Sequence, residues 1–192
     1  MRCWVVIPIK APEACKTRLS PALGDCERQA LVAEMLRQTV AAARTVAGPN
    51  HVLLLGPSRH GLDADIELLA DPGGGLDAAL TTARDAAVRA GIGRLLLLSA
   101  DLPTVEPADV AALLDVPAQV AAGGPDRAGD GTNALSLPLP AAAQFQFSYG
   151  EGSFAAHQAE AARLGLAFLT IDRPGLSLDI DRPEEIALWR RC

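Results

Sequence analysis

Short unbroken apolar runs alternate along most of this chain with stretches whose apolar residues recur every three or four positions. No other feature of the sequence restricts the fold as much. Cys3-Trp4-Val5-Val6-Ile7 has no polar position and is rich in β-branched residues, as a strand covered on both faces requires. It stops at Pro8. From Cys26 to Arg44 the residues Leu31, Val32, Met35, Leu36, Thr39 and Val40 fall on one helical face, with Asp25 placed to cap the start and Gly48-Pro49 beyond the end. His51 to Leu55 reads as a strand stopped by Gly56-Pro57, and Ile66 to Ala70 as a shorter one stopped by Asp71-Pro72-Gly73-Gly74-Gly75. Leu76 to Ala90 is helical, Arg94 to Ser99 is a third apolar run, and Pro107 to Leu114 suits a helix with proline in its first turn.

The rhythm then changes. Gln119 to Ala122, Ala134 to Leu137 and Ala167 to Ile171 read as strands, separated by a glycine-rich loop and a helix from Phe154 to Leu164. Ser177 to Ile180 reads as a last short strand before a helix that begins at Asp181, with Glu184 at capping-box spacing. The expectation is an α/β fold in one domain over residues 1–192, with a mostly parallel sheet flanked by helices. In such sheets ligands bind beyond the carboxyl ends of the strands, near the point where strand order reverses. Function is therefore sought in the loops after the strands.

Composition removes several classes of partner. Seventeen Lys and Arg against 23 Asp and Glu give a net charge of -6, without the broad basic footprint of a nucleic-acid binder. Aromatic residues are 4% of the chain, too few for a base-stacking surface. The apolar run at Cys3–Ile9 is short, holds Pro8 and is followed by Lys10, which fits neither a secretory segment nor a membrane span. Cys3, Cys15, Cys26 and Cys192 contain no Cys-x-x-Cys pair, so free thiols and a cytoplasmic location are expected.

Within this acidic chain, the stretch from Met1 to Arg18 is basic, with Arg2, Lys10, Lys16 and Arg18 against Glu13. Such a loop either neutralises phosphates or is a solvated surface. It carries no Walker A motif, and no Gly-x-Gly-x-x-Gly follows the first strand, so P-loop and dinucleotide-binding readings lose ground. Gly73, Gly74 and Gly75 stand before a helix start, where free N–H groups favour an anion or a nucleotide; a flexible turn would look the same. Asp101 follows the most apolar strand, and Asp179 ends a short one. A hard cation such as Mg²⁺ takes one or two carboxylates plus substrate phosphates, which Asp101 and Asp179 would supply, while Asp181 is the rival with a capping role of its own. Thr132-Asn133 and Gly150-Glu151-Gly152-Ser153 are small-residue loops able to offer donors to one phosphate, or simply a turn and an N-cap at Ser153. His157, on the following helix, reads as a surface residue.

The ordered set Val5-Val6-Ile7-Pro8-Ile9-Lys10, Lys16-Thr17-Arg18-Leu19-Ser20-Pro21, Ser99-Ala100-Asp101-Leu102-Pro103, Gly131-Thr132-Asn133, Gly150-Glu151-Gly152-Ser153-Phe154 and Leu178-Asp179-Ile180-Asp181-Arg182-Pro183-Glu184 resembles the CofC/FbiD family of guanylyltransferases of coenzyme F420 biosynthesis. The motifs span nearly the whole chain. The resemblance implies a nucleotidyltransferase fold of the glycosyltransferase-A type, GTP as donor, Mg²⁺ as cofactor and a phosphorylated three-carbon acid as acceptor. That acid is phosphoenolpyruvate, 2-phospho-L-lactate or 3-phospho-D-glycerate. It implies Asp101 and Asp179 as metal ligands, Thr132, Gly150 and Ser153 as acceptor contacts, and Lys10, Lys16 and Arg18 as catalytic groups facing the triphosphate beside Gly74 and Gly75. Relatives often have Asn where this chain has Asp77. The resemblance also leaves a homodimer open and implies that the product passes to the next transferase of the pathway. Two other readings stay open on the fold alone: a related transferase acting on a pterin or sugar phosphate, and a noncatalytic nucleotide-sensing domain.

Overall fold

A computed structural model describes residues 2–181, 183, 185 and 186. It contains one seven-stranded sheet in the order β3-β2-β1-β4-β6-β5-β7. The strands are β1 Cys3–Pro8, β2 Val52–Leu55, β3 Glu67–Leu69, β4 Arg94–Leu98, β5 Val120–Pro125, β6 Thr132–Pro138 and β7 Ala167–Thr170. β1 lies between β2 and β4, parallel to both, and β3 extends the same parallel set. β6 alone runs against its neighbours β4 and β5, and β7 pairs parallel with β5. The expected mostly parallel sheet is present. Thr132 and Asn133 open β6 instead of forming a turn, because a Gly-containing hairpin reverses the chain just before them.

Successive side chains of β1 enter different cores, which explains its lack of polar positions. Val5 and Ile7 pack with Leu36 and Val40 of α1 (Asp25–Ala47), and with Val110 and Leu113 of α3 (Pro107–Leu114). Val6 packs on the opposite face with Leu80, Ala83 and Ala87 of α2 (Leu76–Arg89) and Ala161 of α4 (Ser153–Arg163). A third cluster joins Cys15 and Leu19 of the first loop, Leu31, Val32 and Met35 of α1, and Ile180 and Ile186 from the far end of the chain. No helix among the described residues is long and apolar enough to cross a membrane. Cys3, Cys15 and Cys26 are free thiols, and Cys192 lies outside the described residues.

Three local expectations are corrected. Gly24, not Asp25, is the N-cap of α1: Glu27 accepts the Gly24 N–H at 2.8 Å, and Asp25, one residue inside, pairs with Arg28. Gly152 rather than Ser153 occupies the N-cap of α4. Ser177–Ile180 is not a strand. Pro174–Ser177 forms a single helical turn, α5, after which residues 178–181 run without regular structure. Side-chain anchors replace ladder bonds there: Leu176 and Ile180 are fully buried, and Asn133 of β6 donates its side-chain amide to Leu176 O at 3.0 Å. The capping partner expected for Asp181, Glu184, lies outside the described residues.

Arg173, just before α5, donates to the buried Asp109 of α3 at 2.6 Å, and Asp109 also accepts the Glu106 N–H at 2.9 Å. The approach is close enough to need glycine at 175, where a Cβ would overlap Asp109 Oδ2 and lie 2.9 Å from Thr104 O. Both obstacles belong to fixed structure, so the turn itself would have to move. Gly175→Ala is expected to cost about 3 kcal/mol of stability, measured as a lowered midpoint in urea unfolding; an unchanged midpoint would show that α5 is not held against α3.

Candidate active site

The parallel strands end at one edge of the sheet, and the loops that follow β1 and β4 meet there at the point where strand order reverses. Between them opens a cleft of about 530 Å³, with Lys10, Lys16, Arg18, Gly75, Asp101 and Asp181 among its lining residues. The first loop is shaped by two short 3₁₀ turns, Pro12–Ala14 and Thr17–Leu19, and by the buried Leu19 that anchors the second. Lys16, between the turns, has a left-handed backbone with φ 52°, uncommon for a residue with a side chain. Its carbonyl accepts the Leu19 N–H at 2.9 Å, which ties the backbone into the second turn, while its side chain makes ion pairs. Lys16 Nζ bonds Asp101 Oδ2 and lies 2.6 Å from Asp181 Oδ1, while Arg18 reaches Asp181 Oδ2 at 3.6 Å.

Asp101, Asp179 and Asp181 come together although about eighty residues separate the first from the others. One carboxylate oxygen from each lies within 4.8 Å of the other two. Asp101 leaves the end of β4. Asp179 and Asp181 flank Ile180, whose side chain is fully buried in the third core cluster. Burying the middle residue of the three brings the two carboxylates out together. The sequence alone favours Asp179 and assigns Asp181 a capping role. In the structure the Asp181 carboxylate instead bonds Lys16 and Arg18, and its backbone N–H is taken by the Glu185 carboxylate at 2.6 Å. The usable signal was the i, i+2 spacing around an apolar residue.

The charges show how tightly the cluster is balanced. Burial, and then repulsion from Asp101 and Asp181, push the Asp179 carboxyl up to about 6. Burial pushes the Asp181 carboxyl up as well, but the positive charges of Lys16, Arg18 and Lys10 outweigh it and hold the group below the usual carboxylate range. Burial disfavours the Lys16 ammonium, yet Asp101 and Asp181 more than compensate, so its proton is bound more tightly than that of an ordinary lysine. Three hard oxygen donors in this spacing suit a divalent cation such as Mg²⁺.

The glycine-rich loop forms a second wall. Gly73, Gly74 and Gly75 all have positive φ, and Gly75 begins α2 with φ 93° and ψ 179°, a region open only to glycine. No side chain caps that helix start. Asp71 accepts the Gly73 N–H at 2.8 Å and shapes the turn. Gly75 and Leu76 line the cleft; Gly74 is adjacent but not among the lining residues. Asp77 is turned to the backbone, where it accepts the Tyr149 N–H at 3.0 Å.

Thr132, Gly150 and Ser153 form a separate group beside the start of β6. Gly150 is exposed with φ 130°, and the Thr132 and Ser153 side chains are buried with their hydroxyls 3.2 Å apart. They do not line the cleft. His157 is fully buried with them, where a surface residue was expected: its periodicity on α4 places it inward, beneath Phe145 and Tyr149. Ser148 N–H donates to its Nε2 at 3.2 Å, so a neutral ring carries its proton on Nδ1 and donates it to Thr132 Oγ1 at 2.9 Å. Beyond the helical period that turns His157 inward, the sequence carries no sign of this network, because its members lie on β6, on α4 and in the loop between them.

The profile described as Guanylyl transferase CofC like matches residues 3–188. The chain belongs to this guanylyltransferase family. A phosphoenolpyruvate guanylyltransferase of Rubrobacter xylanophilus is 42% identical over 97% of this chain and 93% of its own length, and one of Sphaerobacter thermophilus is 35% identical over 97% and 91%. Among solved structures, a nucleotidyl transferase from Methanothermobacter thermautotroptrophicus matches with a TM-score of 0.69 and 17% identity, over 99% of this chain and 96% of that one. The structure of CMP:2-keto-3-deoxy-manno-octonic acid synthetase complexed with CTP matches at 0.63 and 16%, over 100% and 98%. These two are similar in fold. With its family and its fold, the chain is a nucleotidyltransferase enzyme.

Burial pushes the His157 ring down to about 4, against the pull of Asp77 and Glu160. Its pKa is thus lower folded than unfolded, and the unfolded chain takes up a proton first as pH falls. Stability should drop by about 3 kcal/mol more in the parent than in His157→Asn as pH falls from 6.5 to 4. Denaturant titrations at several pH values measure the difference, and parallel profiles would mean that the ring is charged in the fold.

Proposed function

We propose that this guanylyltransferase uses GTP and joins its GMP moiety to the phosphate of phosphoenolpyruvate, releasing pyrophosphate, as a step in coenzyme F420 biosynthesis. The observation that carries the chemistry is the meeting of Asp101, Asp179 and Asp181 at a cleft lined by Lys10, Lys16 and Arg18. The choice of acceptor is supported by the relatives named above, which are phosphoenolpyruvate guanylyltransferases. Asp101 and Asp179 would hold Mg²⁺, with Asp181 close enough to join them. Bound there, the ion would offset triphosphate charge and polarise the α-phosphate.

An oxygen of the acceptor phosphate attacks the α-phosphorus, and the bond from that phosphorus to the bridging oxygen of pyrophosphate breaks. A phosphate monoester is largely ionised at neutral pH, so the step calls for positioning and not for a general base. Lys10, Lys16 and Arg18 balance the charge that moves onto pyrophosphate. The uncapped start of α2 at Gly75, with Gly74 behind it, supplies N–H groups to the nucleotide, and Leu76, left well exposed in the cleft wall, offers an apolar surface for the base. Thr132 and Ser153, through hydroxyls that would first have to be uncovered, and Gly150, through its backbone, would hold the acceptor.

Mass analysis of the product formed from GTP, Mg²⁺ and each of the three acids in turn should show a guanylylated phosphoenolpyruvate as the main species. Turnover with a sugar phosphate alone would overturn this choice. Asp101→Asn should lower kcat by about a hundredfold or more while leaving the unfolding midpoint near that of the parent, and activity within a fewfold of the parent would remove Asp101 from the metal site.

A further inference from the structure

Lys16 belongs to the basic loop, yet its ammonium is spent on the acids. Its side chain is 9% exposed against 75% for Arg18, and it bonds two of the three clustered carboxylates. An ammonium bound to Asp101 and Asp181 and a divalent ion bound to the same groups would stand only a few ångströms apart, where like charges repel strongly. The two cations compete. We propose that Lys16 is an internal counter-ion that competes with a divalent ion for the carboxylate cluster and weakens its binding there until a triphosphate in the cleft draws the ammonium away. This rests on the reading of the cluster as a metal site given under Proposed function.

The geometry provides the alternative position. Lys10 and Arg18 line the same cleft as Lys16, so a triphosphate attracted by them would arrive within reach of a flexible four-carbon stem. With the ammonium on the phosphates, Asp101 and Asp181 lose their counter-charge and the cluster becomes a stronger cation site. Metal and nucleotide therefore favour each other's binding, and this coupling is reciprocal. Without Lys16 the three carboxylates would meet a metal with no internal rival.

The test needs no turnover. Mn²⁺ binding to nucleotide-free protein is measured by electron paramagnetic resonance for the parent, Lys16→Met and Lys16→Arg. Lys16→Met should bind Mn²⁺ about tenfold more tightly than the parent or better, and Lys16→Arg should stay close to the parent. On the parent itself, acylation of Lys16 by an amine reagent, mapped by peptide mass, should increase when Mn²⁺ is added. Equal or weaker binding by a folded Lys16→Met, or labelling that does not respond to saturating Mn²⁺, overturns the inference. If Lys16→Met fails to fold, the labelling experiment decides. Absence of Mn²⁺ binding in every protein overturns the metal site as well, whereas the identity of the acceptor is judged separately by product mass.

Discussion

Three carboxylates crowded within 4.8 Å of one another repel, and a buried lysine bound to two of them offsets that repulsion. Removing charges of one sign from water is unfavourable unless an opposite charge is held nearby. Lys16, with a left-handed backbone, meets that need from the loop after β1. The same crowding leaves Asp179, which does not bond the lysine, with a carboxyl pushed up by burial and by its acidic neighbours.

The rest of the architecture serves to bring that cluster together. β1 and β4 lie side by side at the centre of the sheet, so the loops carrying Lys16 and Asp101 begin next to each other. The other two aspartates come from the opposite end of the chain and depend on three anchors: Arg173 on Asp109, Asn133 on Leu176 O, and Ile180 in the cluster formed with Leu31, Val32 and Met35. Each anchor joins the terminal segment to a different element. A defect in any of them would be felt at the carboxylate cluster before it was felt in the sheet.

A buried guanidinium illustrates how polar groups support the same frame. Arg94, fully buried at the start of β4, donates to Pro117 O at 2.8 Å, Val120 O at 3.2 Å and Ser136 Oγ at 3.0 Å. It fastens the connection from α3 to β5 beneath the central strand. In sequence this arginine reads only as the polar edge of an apolar run, since its partners are mostly backbone carbonyls that carry no signature.

The sequence by itself determined the alternation of strands and helices, the extents of α2 and α3 to within a residue, and several of the loops that border the cleft. Those features depend on local periodicity and on Gly and Pro, which act over a few residues. The antiparallel course of β6, the helical turn in place of a final strand, the interior position of His157 and the membership of Asp181 in the carboxylate cluster were decided by tertiary structure. Each depends on contacts between residues distant in the chain, where burial of a neighbour such as Ile180, or an ion pair such as Lys16 with Asp181, outweighs the local preference for a strand or a cap.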